Sequence, residues 1–209
     1  MKYAYTYVMD TLSDWELGYV LPELNTGRYF RPSIEPVPVR TVGLTLDPIV
    51  TMGGVRIVPD ATIDEVTTEN TAVLLLPGAE TWHESQHAPV FGKVADLLDH
   101  EVPVAAICGA TGALAAAGLL NERRHTSNAL EYLKMVAPDY TGEPRYVPET
   151  AVVDGPLITA NSTGGLHLGR LVLERLDLCS KETLEAWFEF FHTGDGKWFY
   201  ALMESVAAR

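Results

Sequence analysis

The stretch Val104-Ala105-Ala106-Ile107-Cys108-Gly109-Ala110-Thr111-Gly112-Ala113-Leu114 constrains the fold more than any other part of the chain. Four apolar residues run straight into a cysteine, and small residues opening a helix follow at once. This is the pattern of a buried strand that turns abruptly into a helix at the carboxyl edge of a parallel sheet. Gly109, Ala110 and Gly112 let the chain reverse without side-chain clashes. The helix that starts there aims its free amides and the positive end of its dipole at the sulfur. Those effects favour a thiolate, so the expected thiol pKa is below the ordinary value.

The rest of the chain supplies the layers such a turn needs. Tyr3 to Met9 reads as a central strand, and Asp14 to Asn25 as a helix with apolar positions at Trp15, Leu17, Val20, Leu21 and Leu24. Ser13 or Asp14 could cap that helix, and Pro22 should kink or shorten it. Val37 to Leu46 and Pro48 to Val58 read as strands, the second turning at Met52-Gly53-Gly54. Ala72 to Leu76 is a continuous apolar run closed by Pro77-Gly78, as suits a strand covered on both faces. A helix over Pro89 to His100 and the strand Val102 to Ile107 lead to the turn at Cys108.

Beyond the turn, the pattern predicts a helix from Gly112 to Leu120, a strand over Arg124 to Ser127 and a helix over Asn128 to Val136. Tyr146 to Val153 and Leu157 to Ala160 flank Asp154-Gly155-Pro156 and read as a hairpin. Helices follow over Leu166 to Leu176, Glu182 to Phe191 and Trp198 to Ala208. Strands alternating with helices make this an α/β doubly wound sandwich with a mostly parallel sheet and a small antiparallel extension. The 209 residues fit one domain over 1–209.

A net charge of −13 argues against nucleic acid or an anionic membrane as partner. Two cysteines, Cys108 and Cys179, are too few for a disulfide scaffold, and Cys179 reads as structural. With neither a signal-peptide pattern nor a spanning apolar run, the expected location is cytoplasmic. Part of the aromatic run Trp187, Phe188, Phe190, Phe191, Trp198, Phe199 and Tyr200 exceeds what one terminal helix needs. It could cover the sheet or form a homodimer contact.

Sites in such sheets gather beyond the carboxyl ends of the strands. Three segments should meet there: Ser13-Asp14-Trp15-Glu16, Leu76 to His83, and the turn at Cys108. Taken with Leu75-Leu76-Pro77-Gly78, Ala117-Gly118-Leu119-Leu120, His125-Thr126-Ser127-Asn128 and Leu157 to Asn161, the chain resembles the PfpI/ThiJ superfamily of class I glutamine amidotransferase-like proteins. The resemblance implies a flavodoxin-like three-layer fold with Cys108 as nucleophile at its elbow. It implies Glu16 as a protonated carboxyl donating to the thiolate, which burial favours. It also implies the amides of Gly78 and Gly109 as oxyanion donors.

The chain departs from that pattern where the family carries histidine. Gly109 follows the cysteine directly, and Asn128 stands at the other familiar position. The remaining candidates for a base are His83 and His167, with His125 third; Trp15, Trp82 and Asn128 could line the pocket. No His-x-Glu dyad is present, so glutaminase activity is not expected, and without a clear base neither is peptidase activity. The reading is a cysteine-dependent enzyme, of hydrolase, hydratase or deglycase type, acting on a small electrophilic substrate with no cofactor and no metal. The competing reading is a stress sensor oxidised at Cys108. A ligand-binding module like those fused to transcription regulators ranks last, since no helix-turn-helix segment follows.

Overall fold

Apolar runs become strands and amphipathic runs become helices along most of the chain. The computed structural model describes residues 1–207. In chain order the elements are β1 (Tyr3–Tyr7), α1 (Val20–Thr26), β2 (Val39–Gly43), β3 (Ile49–Val50), β4 (Arg56–Ile57), β5 (Ala61–Thr62), β6 (Thr71–Leu76), α2 (Ala88–Asp99), β7 (Val104–Ile107) and α3 (Gly109–Ala116). They continue with α4 (Leu130–Val136), β8 (Ala151–Asp154), β9 (Leu157–Ala160), α5 (Gly165–Arg175), α6 (Lys181–Thr193) and α7 (Gly196–Ala207).

Seven strands form one sheet in the order β5-β2-β1-β6-β7-β9-β8, parallel except for β8, which runs antiparallel to β9. The short β3 and β4 pair antiparallel as a separate hairpin. Side chains alternate across each strand, and here both faces are apolar. One face sets Tyr5, Tyr7, Leu74, Leu76, Val104 and Ala106 against Val94, Leu97 and Leu114. The other sets Ala4, Val73, Leu75, Ala105 and Ile107 against Leu24, Leu168, Val172 and Trp187. Fully burying a leucine such as Leu74, Leu75 or Leu76 stabilises by roughly 1.5–3 kcal/mol. The result is a three-layer α/β sandwich with its central strands inaccessible from either side.

Several elements differ from expectation for local reasons. Residues 124–127 are not a strand; His125 makes a single parallel bridge to Tyr146. The nearest strand, β9, is already paired on both sides, by β7 and β8. The Thr126 amide donates instead to Thr159 Oγ1 at 2.9 Å, and Thr126 Oγ1 donates to the Glu149 carbonyl at 2.7 Å.

The first helix starts at Val20 rather than Asp14, which places Pro22 in its first turn, where no backbone donor is required. Asp14 does not cap that helix. Its carboxylate accepts from Thr51 Oγ1 at 2.5 Å and the Gly53 amide at 2.6 Å, tying the β3–β4 hairpin to the turn that carries Glu16. The helix after Cys108 begins at Gly109, three residues earlier than the pattern suggested, and ends at Ala116. Of the last predicted helix, Ala208 lies outside the described residues.

Candidate active site

Everything at the carboxyl end of β7 is organised around one strained residue. Cys108 caps α3 with φ 57° and ψ −122°, a conformation that costs a side-chain-bearing residue on the order of 1–3 kcal/mol. The surroundings hold it there. The Cys108 amide donates to the Ala160 carbonyl of β9 at 3.0 Å, and the Cys108 carbonyl accepts from the Thr111 amide at 3.1 Å and Thr111 Oγ1 at 2.6 Å. Thr111 Oγ1 in turn lies 2.6 Å from Ser127 Oγ. The turn pushes the sulfur out of the sheet, and Cys108 is half-buried.

Glu16 comes to the sulfur from the loop after β1. Its side chain is fully buried, with Oε2 accepting from the Gly78 amide at 2.6 Å. Oε1 is buried with no hydrogen-bond partner closed, while the Cys108 thiol and Ser13 both act on the carboxyl. Such a buried oxygen is costly unless a proton is shared across it.

Glycines make the approach possible. A Cβ on Gly78 would lie 2.9 Å from Cys108 Cβ and from both Glu16 carboxyl oxygens. A Cβ on Gly165, at the start of α5, would lie 2.5 Å from the Glu16 carbonyl oxygen. Gly78 thus admits the Glu16 carboxyl, and Gly165 admits the Glu16 main chain, because neither has a side chain.

The electrostatics of the pair differ from the sequence expectation. Burial pushes the Cys108 thiol up, and the Glu16 carboxylate adds to the rise; the Asn128 amide and the Gly109 amide oppose it. Burial also raises the Glu16 carboxyl, against the Gly78 amide and the nearby Cys108 and Ser13 side chains, which lower it. The helix dipole therefore does not yield a lowered thiol pKa here, since desolvation outweighs it. Burial thus disfavours the charged form of each group.

Asn128 occupies the other side of the sulfur. Its Nδ2 donates to Cys108 Sγ at 3.5 Å, and its Oδ1 accepts from the Ser162 amide at 2.8 Å, which fixes the orientation of the amide. A cleft of about 660 Å³ opens beside the elbow, lined by Ala79, Trp82, Phe91, Gly109, Gly112 and Tyr132 among others. Trp82 is buried and donates from Nε1 to the Pro77 carbonyl at 2.8 Å, which holds the Pro77–Ala79 loop against α3. Trp15, by contrast, is 57% exposed and does not line the cleft.

The histidines take other positions. His83 lies in a 3-10 turn on the cleft wall, exposed, with Nδ1 on the Glu80 carbonyl at 2.8 Å. His167 is packed edge-on to Phe188 and His192 between α5 and α6, and burial lowers its pKa. His125 is buried and held at both ring nitrogens, by the Arg123 carbonyl at 2.7 Å and Tyr140 Oη at 2.6 Å. Among the described residues none of the three hydrogen-bonds to Cys108 or Glu16. Cys179 is buried at the far end of α5, near Arg31.

The Gly78 amide is committed to Glu16 and so is not free for an oxyanion. The next amide, of Ala79, has no hydrogen bond among the described residues and would lie 3.3 Å from a Cβ on Gly109. The sequence reading missed both Ala79 and Tyr132. A signal for Tyr132 was available, since it follows Asn128 by four residues in a segment expected to be helical. Among the described residues no group of three or more His, Cys, Asp or Glu side chains could hold a metal ion, and no helix is long and apolar enough to cross a membrane.

Comparison with known proteins places this geometry in a family. The model of the DJ-1/PfpI family matches residues 2–175. A Bacillus subtilis (strain 168) protein named Uncharacterized protease YoaZ is 43% identical over 203 residues, covering 97% of each chain. The crystal structure of a thiJ/pfpI family protein from Bacillus anthracis superposes with a TM-score of 0.95 at 45% identity, covering 98% of this chain and 96% of that one. A DJ-1 superfamily protein, Atu0886 from Agrobacterium tumefaciens, gives a TM-score of 0.80 at 29% identity over 93% of this chain and 99% of its own.

Proposed function

The chain belongs to the DJ-1/PfpI family, and on that footing we propose that it is a cysteine-dependent enzyme that attacks a small electrophilic carbon with Cys108. One observation carries this reading: the strained Cys108 turn meets a buried carboxyl, Glu16, whose Oε1 has no other hydrogen-bond partner closed. A structural cysteine would not require a conformation costing on the order of 1–3 kcal/mol.

The steps follow from the groups present. The thiol proton passes to Glu16, leaving a thiolate that accepts from Asn128. The sulfur bonds to the substrate carbon, and the π pair moves to the substrate oxygen or nitrogen. The Gly109 and Ala79 amides are the donors nearest that developing charge, Ala79 taking the part first expected of Gly78. Glu16 then returns its proton to the leaving group or the adduct. Hydrolase, hydratase and deglycase reactions share these steps.

Peptidase chemistry, suggested by the name of the Bacillus subtilis relative, fits less well. A cysteine nucleophile paired with a histidine base is missing: among the described residues none of the candidate histidines bonds to the sulfur. Substituting Cys108→Ser and Glu16→Gln tests the reading with small esters and aldehydes as substrates. Both variants should lose at least a hundredfold in kcat/KM, while an active Cys108→Ser protein refutes the nucleophile.

A second reading, a redox or electrophile sensor, draws on the same half-buried sulfur beside a carboxyl group. Under mild peroxide, mass spectrometry should find Cys108 oxidised before the buried Cys179. Oxidation without any turnover of small electrophiles would favour the sensor.

A further inference from the structure

Asn128 and Gly109 stand where the resemblance placed histidine, yet the cleft beside the elbow contains another proton-bearing group. Tyr132 projects from α4 onto the first turns of α3. A Cβ on Gly112 would lie 2.8 Å from Tyr132 Oη and 3.1 Å from its ring, so the glycine is what lets the phenol lie flat against the helix that Cys108 caps. Tyr132 and Gly109 line the same cleft. The Tyr132 hydroxyl has no hydrogen-bond partner among the described residues, and the ring is only half-buried. Burial and the nearby Cys108 sulfur push the phenol above its ordinary value, which keeps it a donor at neutral pH.

The lining of the cleft narrows the ligand. Trp82, Phe91, Ala113 and Val136 are apolar, Glu80 and Glu84 bring two carboxylates, His83 brings an imidazole, and no lysine or arginine contributes. An anionic ligand would meet the like charge of both glutamates, with no lysine or arginine on the wall to offset it.

We propose that Tyr132 is a catalytic residue of this site, donating its hydroxyl to the oxygen of an uncharged carbonyl or acyl compound whose apolar substituent fills the cleft. The assignment rests on Cys108 being the nucleophile. With an ester the balance is simple. The thiol proton moves to Glu16; the sulfur bonds to the acyl carbon; the carbonyl π pair goes to the oxygen, which accepts from Tyr132. Collapse of the adduct re-forms the C=O bond, expels the alkoxide or phenolate and leaves a thioester on Cys108. The Glu16 proton goes to the departing oxygen. Tyr132 keeps its own proton throughout and acts by hydrogen bonding.

Two chemistries at the same sulfur separate this role from packing. Alkylation of Cys108 by iodoacetamide is a displacement that creates no oxyanion, whereas acylation by 4-nitrophenyl acetate does. The ratio of the two second-order rates, read by mass spectrometry on Cys108, therefore isolates the hydroxyl. In Tyr132→Phe the alkylation rate should stay within twofold of wild type and the acylation-to-alkylation ratio should fall fivefold or more. A smaller fall overturns the proposal. Gly112→Ala, which displaces the ring but keeps the hydroxyl, should lower the same ratio and gives an independent measure should Tyr132→Phe melt early. Wild type should also acylate at least fivefold faster with 4-nitrophenyl acetate than with the anionic mono-4-nitrophenyl succinate, and equal rates overturn the substrate class. A Cys108→Ser protein acylated as fast as wild type refutes the nucleophile itself, which is a different failure.

Discussion

Asn128 Nδ2 lies 3.5 Å from Cys108 Sγ, while Asn128 Oδ1 is pinned by the Ser162 amide. The pinned orientation means that the sulfur faces the NH₂ end of the amide, a donor that cannot take up a proton. Where a histidine would serve as a base, this site has a fixed dipole that stabilises negative charge.

Removing that donor should raise the thiol further. Asn128→Ala is expected to shift the pH midpoint of Cys108 alkylation upward by about one pH unit, the scale of a hydrogen bond to a charged group. Stopped-flow alkylation between pH 6 and 11 measures it, and an unmoved midpoint would show that the amide does not act on the sulfur.

Glu16 makes a prediction about stability. Its folded pKa is raised above the ordinary 4.5 by burial. The native state therefore binds this proton more tightly than the unfolded chain does. The contribution is fully present below about pH 4.5 and is lost as pH rises through the raised value. Glu16→Gln stays neutral throughout, so the stability of wild type relative to the variant should decline from pH 4.5 to pH 8 in denaturant melts. The buried histidines, whose pKa values are lowered by burial, act in the opposite direction in both proteins and cancel in the difference.

Gly78 tolerates no side chain. A methyl there would press on Cys108 Cβ and on both oxygens of Glu16 at 2.9 Å. Gly78→Ala should cost about 1–3 kcal/mol, as overpacking does. It should also slow Cys108 alkylation by breaking the carboxyl–sulfur approach. A variant that melts and reacts like wild type would mean that the loop yields freely.

Thr111 supports the strained turn from beneath. Thr111→Val removes the hydroxyl donor to the Cys108 carbonyl, keeps the amide donor, and leaves Ser127 Oγ without that partner. Unfolding experiments should register a loss of roughly 1–3 kcal/mol, the cost of stranding buried polar groups. Thr111→Ser, which restores the hydroxyl, should recover most of it.

Much of this was legible in the chain. The run Ala72 to Leu76 had to be a strand covered on both faces, because it has no polar alternation. Val104 to Leu114 had to turn sharply at Cys108, because apolar residues end at a cysteine followed by small ones. Both readings rest on local periods and steric size, which the chain carries in itself. Family resemblance brought Glu16 to the sulfur, and the loops carried it there.

What folding alone decided was which polar atoms remained uncommitted. The Gly78 amide went to Glu16 rather than to a substrate, and His125 was taken by Tyr140. The strand expected at Arg124 to Ser127 gave way to hydrogen bonds from Thr126 to Thr159 and Glu149. The thiol, expected to be lowered by a helix start, was raised because burial outweighed the dipole. Hydrogen bonds and desolvation depend on neighbours that are distant in sequence. Size and polarity fix a residue's own conformation, but its free valences are settled only when every competing partner is in place.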